Sequence, residues 1–216
     1  MSNTYIKDLM TNRKSARDFD NTQKISDQDL NEILQATRMT PSAFNLMNLR
    51  LLIIDANSSL KPSLVSLFYN QKNFINADKC LLFVSDKANK ILNHTIAKSV
   101  DAIFKPEQSQ IADKFKHNII SATAILANAN ELDHWSKTTA HIASGVATVA
   151  AASLDIDSCI IGGFNAKQLN ELLIENNYLT NDEQVVLAMS LGYVNKNIQP
   201  KPKIRMSQHE FATFAK

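Results

Sequence analysis

Four short segments of this chain hold residue types that can do chemistry. The first reads Arg13-Lys14-Ser15-Ala16-Arg17-Asp18-Phe19. Three cations and a hydroxyl this close can surround an anion with charge-assisted donors, each worth on the order of 1.5–3 kcal/mol. The same residues also suit a solvated helix C-terminus, where cations complement the dipole. The second segment, Pro41-Ser42-Ala43-Phe44-Asn45, falls between a helix and a strand. Ser42 and Asn45 could cap a short helix or hydrogen-bond a flat heterocycle. The third, Ile160-Ile161-Gly162-Gly163-Phe164-Asn165, ends a strand. Its two glycines make either a simple turn or a stretch of bare backbone that a ring can approach. The fourth, Lys201-Pro202-Lys203-Ile204-Arg205, is a second cationic cluster or a plain basic tail.

Composition removes several competing chemistries. Only four of 216 residues are glycine, against a usual share of about 7%. Neither G-x-G-x-x-G nor G-x-x-x-x-G-K-[ST] can be written with them, so a bound nucleotide phosphate must be held by side chains. The net charge of +2 from 23 basic and 21 acidic residues gives no bulk attraction to nucleic acid or membrane. Arginine stands only at positions 13, 17, 38, 50 and 205. In a lysine-rich chain, those positions mark where planar anion recognition is wanted. His94, His117, His134, His141 and His209 lack H-x-x-x-H spacing, so no metal site is expected. His134 and His141 read as core or interface residues. Cys80 and Cys159 sit in apolar runs and read as reduced, buried thiols. The N-terminal residues lack a signal-peptide core, and a cytoplasmic location is expected. No G-x-S-x-G elbow or carboxylate pair stands out. Anion clamps and a stacking surface without a nucleophile point to a cofactor that brings its own chemistry.

The elements that must position these segments alternate helix and strand. Ser26 caps an amphipathic run with Leu30, Ile33 and Leu34 on one face. Aliphatic runs at 49–55, 79–85, 158–161 and 184–191 predict strands. Helices are predicted at 60–70 and 166–175 and through most of 89–155. The alanine-rich stretch 131–154 lets another backbone come close, in the core or at a dimer interface. The tail after Pro200 is predicted to be extended rather than helical, either wrapping a neighbouring subunit through Phe211 and Phe214 or fraying as a terminus. The chain reads as one domain over 1–216, with 199–216 as the tail.

Taken in order, the four segments resemble the FMN-dependent nitroreductase family, especially its oxygen-insensitive NAD(P)H branch. The pattern R-x-S-x-[RK]-x-F is met by Arg13, Ser15, Arg17 and Phe19. P-S-x-x-N is met by Pro41, Ser42 and Asn45. A Gly-Phe after an Ile-rich strand is met by Gly163 and Phe164, and L-G-Y with a later K-x-R by Leu191, Gly192, Tyr193, Lys203 and Arg205. The resemblance implies an α+β fold, a central mostly antiparallel sheet flanked by helices, with the C-terminal tail exchanged across a homodimer. It implies FMN at the subunit interface and NADH or NADPH as donor. Arg13, Lys14, Ser15, Lys203 and Arg205 would face the phosphate and ribityl side, and Arg17 and Asn70 the pyrimidine edge. Ile161, Gly162 and Gly163 would lie beside N5, while Pro41, Ser42 and Asn45 would come from the other subunit. The implied reaction is ping-pong hydride transfer to a nitroaromatic, quinone or similar acceptor, with 105–125, including Phe115, as a candidate lid. Dehalogenation, flavin breakdown or a flavin-binding regulatory or stress role with little turnover would use the same cofactor site. Met47-Asn48-Leu49 departs from the family's Gln-Pro-Trp, Gly162 from a frequent Glu, and a Lys often found near Asn73 is missing.

Overall fold

The computed structural model describes residues 4–197 and 202–215. Pro200 and Lys201, which the sequence reading placed in the tail, lie outside the described residues. Helix α1 (Tyr5–Asn12) leads through the 13–19 segment to α2 (Asp27–Arg38), whose N-cap Ser26 accepts from the Asp29 N–H at 3.0 Å. A 3-10 turn (Ala43–Asn45) precedes strand β1 (Leu49–Asp55). Then come α3 (Lys61–Leu64), α4 (Lys72–Ile75), β2 (Lys79–Asp86), α5 (Ala88–Lys90), a π-helical turn (Ile91–Thr95) and α6 (Ile96–Ile103). After a second 3-10 turn follow α7 (Ser109–Asn128), α8 (Leu132–Ser153), β3 (Asp157–Ile161), α9 (Ala166–Glu175), β4 (Glu183–Gly192) and α10 (Gln208–Phe211).

The four strands form one antiparallel sheet in the order β1-β2-β4-β3. The central strands β2 and β4 are covered on both faces, which is why they read as unbroken apolar runs. On one face Leu64, Phe68, Phe74, Phe164, Leu169 and Leu173 pack against Cys80, Leu82, Val84 and Ala188. On the other, Ala140, Ala143, Ala147 and Ala151 of α8 meet Leu81, Phe83, Leu187 and Met189. Alanines three and four apart line one face of a helix, so α8 sits close to the sheet. A third cluster joins α6, α7 and the start of α8 through Ile91, Ile96, Val100, Ile119, Leu132 and Leu46.

Three expectations are corrected. Residues 60–70 are not one helix: α3 ends at Leu64, and Tyr69 and Asn70 both stand at φ 53. This turn lets Phe68 stack on Phe74 with ring centroids 4.1 Å apart. The tail is not wholly extended, because Ser207 and Glu210 form a capping box that starts α10. His134 and His141 are both exposed in the chain, which excludes the core reading.

Gly192 joins two of the sequence patterns. A Cβ there would lie 2.9 Å from Phe19 Cδ1, and the Phe19 ring is 2% exposed. We therefore expect Gly192→Ala to destabilise the fold by about 1–3 kcal/mol, the usual cost of overpacking. An unchanged melting temperature would contradict this contact.

Candidate cofactor-binding site

The 13–19 segment extends the sheet beyond β3. Ser15 bridges Ser158 in parallel, the Ala16 N–H donates to Ser158 O at 3.0 Å, and Phe19 pairs with Val194. This pairing fixes Arg13, Lys14, Ser15 and Arg17 along one sheet edge. Arg13 donates to Ser15 Oγ at 3.3 Å.

The tail returns to the same edge. Lys203 Nζ donates to the main-chain oxygens of Met10, Thr11 and Arg13, the carbonyls left open where α1 ends. Partial burial holds its ammonium below the ordinary lysine value, and the charges of Arg13, Arg205 and Lys14 push it in the same direction. Cations separated by about 190 residues of sequence thus lie near enough to repel one another. Among the described residues, none of Arg13, Lys14, Arg17, Lys203 and Arg205 makes an ion pair, whereas Lys24, Arg50, Lys79, Lys90 and Lys167 all do. Asp157 on β3 lies within the field of Arg13, but burial pushes its carboxyl up and it accepts from the Val194 N–H at 2.8 Å.

Beside this cluster lies a strip of open backbone. Gly162 and Gly163 are exposed and have no positive φ. A Cβ at either would meet nothing within 4 Å. Among the described residues neither conformation nor packing asks for glycine here, and the main chain is left bare on this side. Gln71 Nε2 donates to Gly163 O at 2.8 Å, and the Asn165 N–H to Leu67 O at 2.8 Å. These bonds bring exposed Asn70 alongside the glycines. Asn73 Nδ2 reaches Cys159 Sγ at 3.2 Å, and Arg17 reaches the same sulfur at 3.9 Å.

Two aromatic–asparagine pairs are left-handed at both residues: Phe44 and Asn45 at φ 57 and 54, Tyr69 and Asn70 both at φ 53. Left-handed backbone strains an aromatic residue and concentrates at ligand sites. All four side chains are exposed, and both asparagines are candidate site residues.

The structure unites Arg13, Lys14, Ser15, Arg17, Asn70, Ile161, Gly162, Gly163, Lys203 and Arg205 around the β3 edge. It does not bring Pro41, Ser42 and Asn45 to them. Those residues lead into β1, where Leu49 pairs with Ser85 and Ser85 with Gln184, whereas Ser158 pairs with Leu191. At strand spacings of about 4.8 Å and rises of about 3.4 Å per residue, Leu49 and Ser158 sit at diagonal corners of the sheet, roughly 25–30 Å apart. Ile161, paired with Ala188, lies nearer the level of Leu49 but still across β2 and β4 from β1.

Gln71 and Cys159 are the contributors that sequence reasoning missed. Gln71 carries no signal beyond adjacency to Asn70, and Cys159 reads only as a buried thiol. The departure at 47–49 is absorbed structurally. Asn48 is buried, donating to Ser136 Oγ at 2.9 Å, and the Met47 N–H donates to Ser99 Oγ at 3.0 Å. Phe115, from the candidate lid, packs edge-on against Phe104 at 5.4 Å.

The model of the Nitroreductase family matches residues 10–193, and the chain belongs to that family. It is 29% identical over 204 residues to a candidate NAD(P)H nitroreductase of Haemophilus influenzae, covering 92% of this chain and 91% of the relative. It is 25% identical over 205 residues to the oxygen-insensitive NADPH nitroreductase of Helicobacter acinonychis, covering 91% of each. Its fold is that of a candidate nitroreductase from Exiguobacterium sibiricum 255-15 solved in complex with FMN. That likeness has a TM-score of 0.76 and 20% identity, covering 100% of this chain and 99% of the other. Among the described residues, no helix is long and apolar enough to cross a membrane.

Proposed function

We propose that this protein is an FMN-dependent oxidoreductase that passes hydride from NADH or NADPH to a nitroaromatic, quinone or similar acceptor. The observation that carries the reading is the set of cations from both ends of the chain, Arg13, Lys14, Lys203 and Arg205, gathered without an ion pair among the described residues. Such a cluster fits a phosphate, and the open strip over Gly162 and Gly163 fits a flat ring beside it. When bound, FMN supplies the hydride chemistry, with donor and acceptor using it in turn.

The chain's own residues then bind and orient. Arg13, Lys14, Ser15 and Arg205 hold the phosphate and ribityl side. Lys203 adds its charge while its donors tie the tail to α1. Arg17 and Asn70 face the pyrimidine edge, where a fixed cation stabilises the negative charge that reduction creates. Ile161, Gly162 and Gly163 present main chain to the ring. Helix α7 with Phe115 packs in the same cluster as Leu46, next to the 41–45 segment, and would reach the pocket as a lid from the second copy.

Pro41, Ser42 and Asn45 join the site from a second copy of the chain; in support, in their own copy they lead into β1, the edge strand across β2 and β4 from β3. Exposed apolar side chains agree with a homodimer: Ile142 at 49% beside the open Gly145 on the outer face of α8, and Phe211 and Phe214 at 78% and 87% on the tail. The tail would wrap the partner.

Titration with FMN and with riboflavin tests the clamp. Riboflavin, which lacks the phosphate, is expected to bind about a hundredfold more weakly, the value of one or two charge-assisted contacts. Equal affinities would contradict the assignment. Light scattering on the same FMN-loaded sample is expected to give a dimer, and a monomer holding FMN would rule out the shared site.

A further inference from the structure

We propose that Cys159 is a positioning residue whose sulfur sets the place of the Arg17 charge. The inference rests on the FMN reading above and deepens it. Cys159 lies on β3, 2% exposed, on the strand that also pairs with Ser15 and Ala16. Its thiol donates to the Ile160 carbonyl at 3.6 Å. The sulfur lone pairs are then left to Asn73 Nδ2 at 3.2 Å and to Arg17 at 3.9 Å, within the longer reach of a sulfur acceptor. Asn73 is itself buried, at 4% exposed. Its amide donates to the same sulfur, so Arg17 shares that acceptor with a buried donor.

The choice of acceptor has an electrostatic consequence. The nearest carboxylate in sequence, Asp18, is turned away, accepting from the Phe19 N–H at 2.9 Å and from Asn76 Nδ2 at 2.7 Å. Arg17 makes no ion pair among the described residues. A carboxylate in place of Cys159 would also orient the guanidinium, but it would cancel the charge. A neutral sulfur orients Arg17 and leaves its full charge for the flavin edge.

The test compares the flavin midpoint potential and the rate of reduction by NADH or NADPH in FMN-loaded protein. The variants are Arg17→Ala, Cys159→Ala, Cys159→Ser and the Arg17→Ala/Cys159→Ala double variant. Arg17→Ala is expected to make the potential more negative. Cys159→Ala should move it part of the way and slow reduction about threefold, as loss of one weak hydrogen bond does. Cys159→Ser keeps an acceptor and should recover toward wild type. The double variant should match Arg17→Ala alone, since coupled residues do not add. Cys80→Ala, a second buried thiol on the same face of the sheet, should lower stability without shifting the potential. Additive shifts, or an unshifted potential in Cys159→Ala, would overturn the proposal. If Arg17→Ala leaves the potential unchanged in protein that holds FMN, the Arg17 placement fails and this inference with it. If wild type does not hold FMN, the cofactor reading itself is at fault.

Discussion

Replacing Arg13 and Arg205 together with alanine is expected to weaken FMN binding by about a hundredfold or more and to give a colourless protein on purification. Each guanidinium offers charge-assisted donors worth about 1.5–3 kcal/mol, and about 1.4 kcal/mol is tenfold in affinity. The two residues stand 192 positions apart, yet both act on the Lys203 ammonium, so their charges share one region of space. Removing one leaves Lys14, Lys203 and the other arginine; removing both takes away the planar donors and leaves only lysines. Flavin fluorescence quenching measures the loss. Lys167→Ala, at an exposed cation paired with Glu171 at 4.0 Å, should leave affinity unchanged. Riboflavin, which keeps the ribityl chain but lacks the phosphate, should lose much less affinity than FMN in the double variant. If FMN affinity survives both substitutions, the phosphate lies elsewhere.

A second large effect is expected far from the cofactor. Glu183, buried at the start of β4, accepts from Arg50 at 2.8 and 3.0 Å, from Lys90 at 2.8 Å and from the Thr180 N–H at 2.9 Å. These bonds join β1, β4 and α5. Burial alone would raise its carboxyl, but the bonds from Arg50, Lys90 and Thr180 outweigh it and hold the group down at about 2 against an ordinary 4.5. The folded carboxyl binds its proton less readily than the unfolded one. Its contribution to stability is therefore complete above pH 4.5 and is lost as pH falls from 4.5 toward about 2. Glu183→Gln leaves two cations without their shared anion, which costs about 3 kcal/mol. That is the low end for a broken buried pair, because Arg50 is partly solvated. In a chain of this size the melting temperature should fall by about 6–12 °C. The variant should also lose part of the wild-type acid sensitivity in that window. An unchanged melting temperature would show that the network contributes little.

Much of the fold could be read from residues. The Ser26 cap, the alanines of α8 and the aliphatic runs of β2 and β4 each carry a local signal that the packing then uses. Residues 60–70 misled because Leu60, Leu64, Leu67 and Phe68 are apolar at helical spacing, while the left-handed turn at Tyr69 and Asn70 has no marker such as glycine. The α10 turn did have a signal, Ser207 followed three residues later by Glu210, but the two prolines before it pointed to an extended tail. At the site, the cation clusters, the asparagines and the glycine pair stand out by type. Their grouping does not, because it depends on strand order: β4 inserts between β2 and β3, separating the 41–45 segment from 13–19. Gln71 and Cys159 stayed hidden because an amide holding a carbonyl and a thiol accepting from arginine leave no periodic trace. The four glycines divide by role. Gly192 makes room for Phe19, Gly162 and Gly163 leave the main chain bare after β3, and Gly145 opens the outer face of α8.

The most direct test of an FMN-dependent oxidoreductase is anaerobic stopped-flow mixing of the FMN-loaded protein with NADH and, separately, with NADPH. The visible flavin absorbance is expected to bleach with at least one donor and to return when a quinone or nitroaromatic is added. Full absorbance after mixing with either donor would contradict it and leave a flavin-binding protein without turnover.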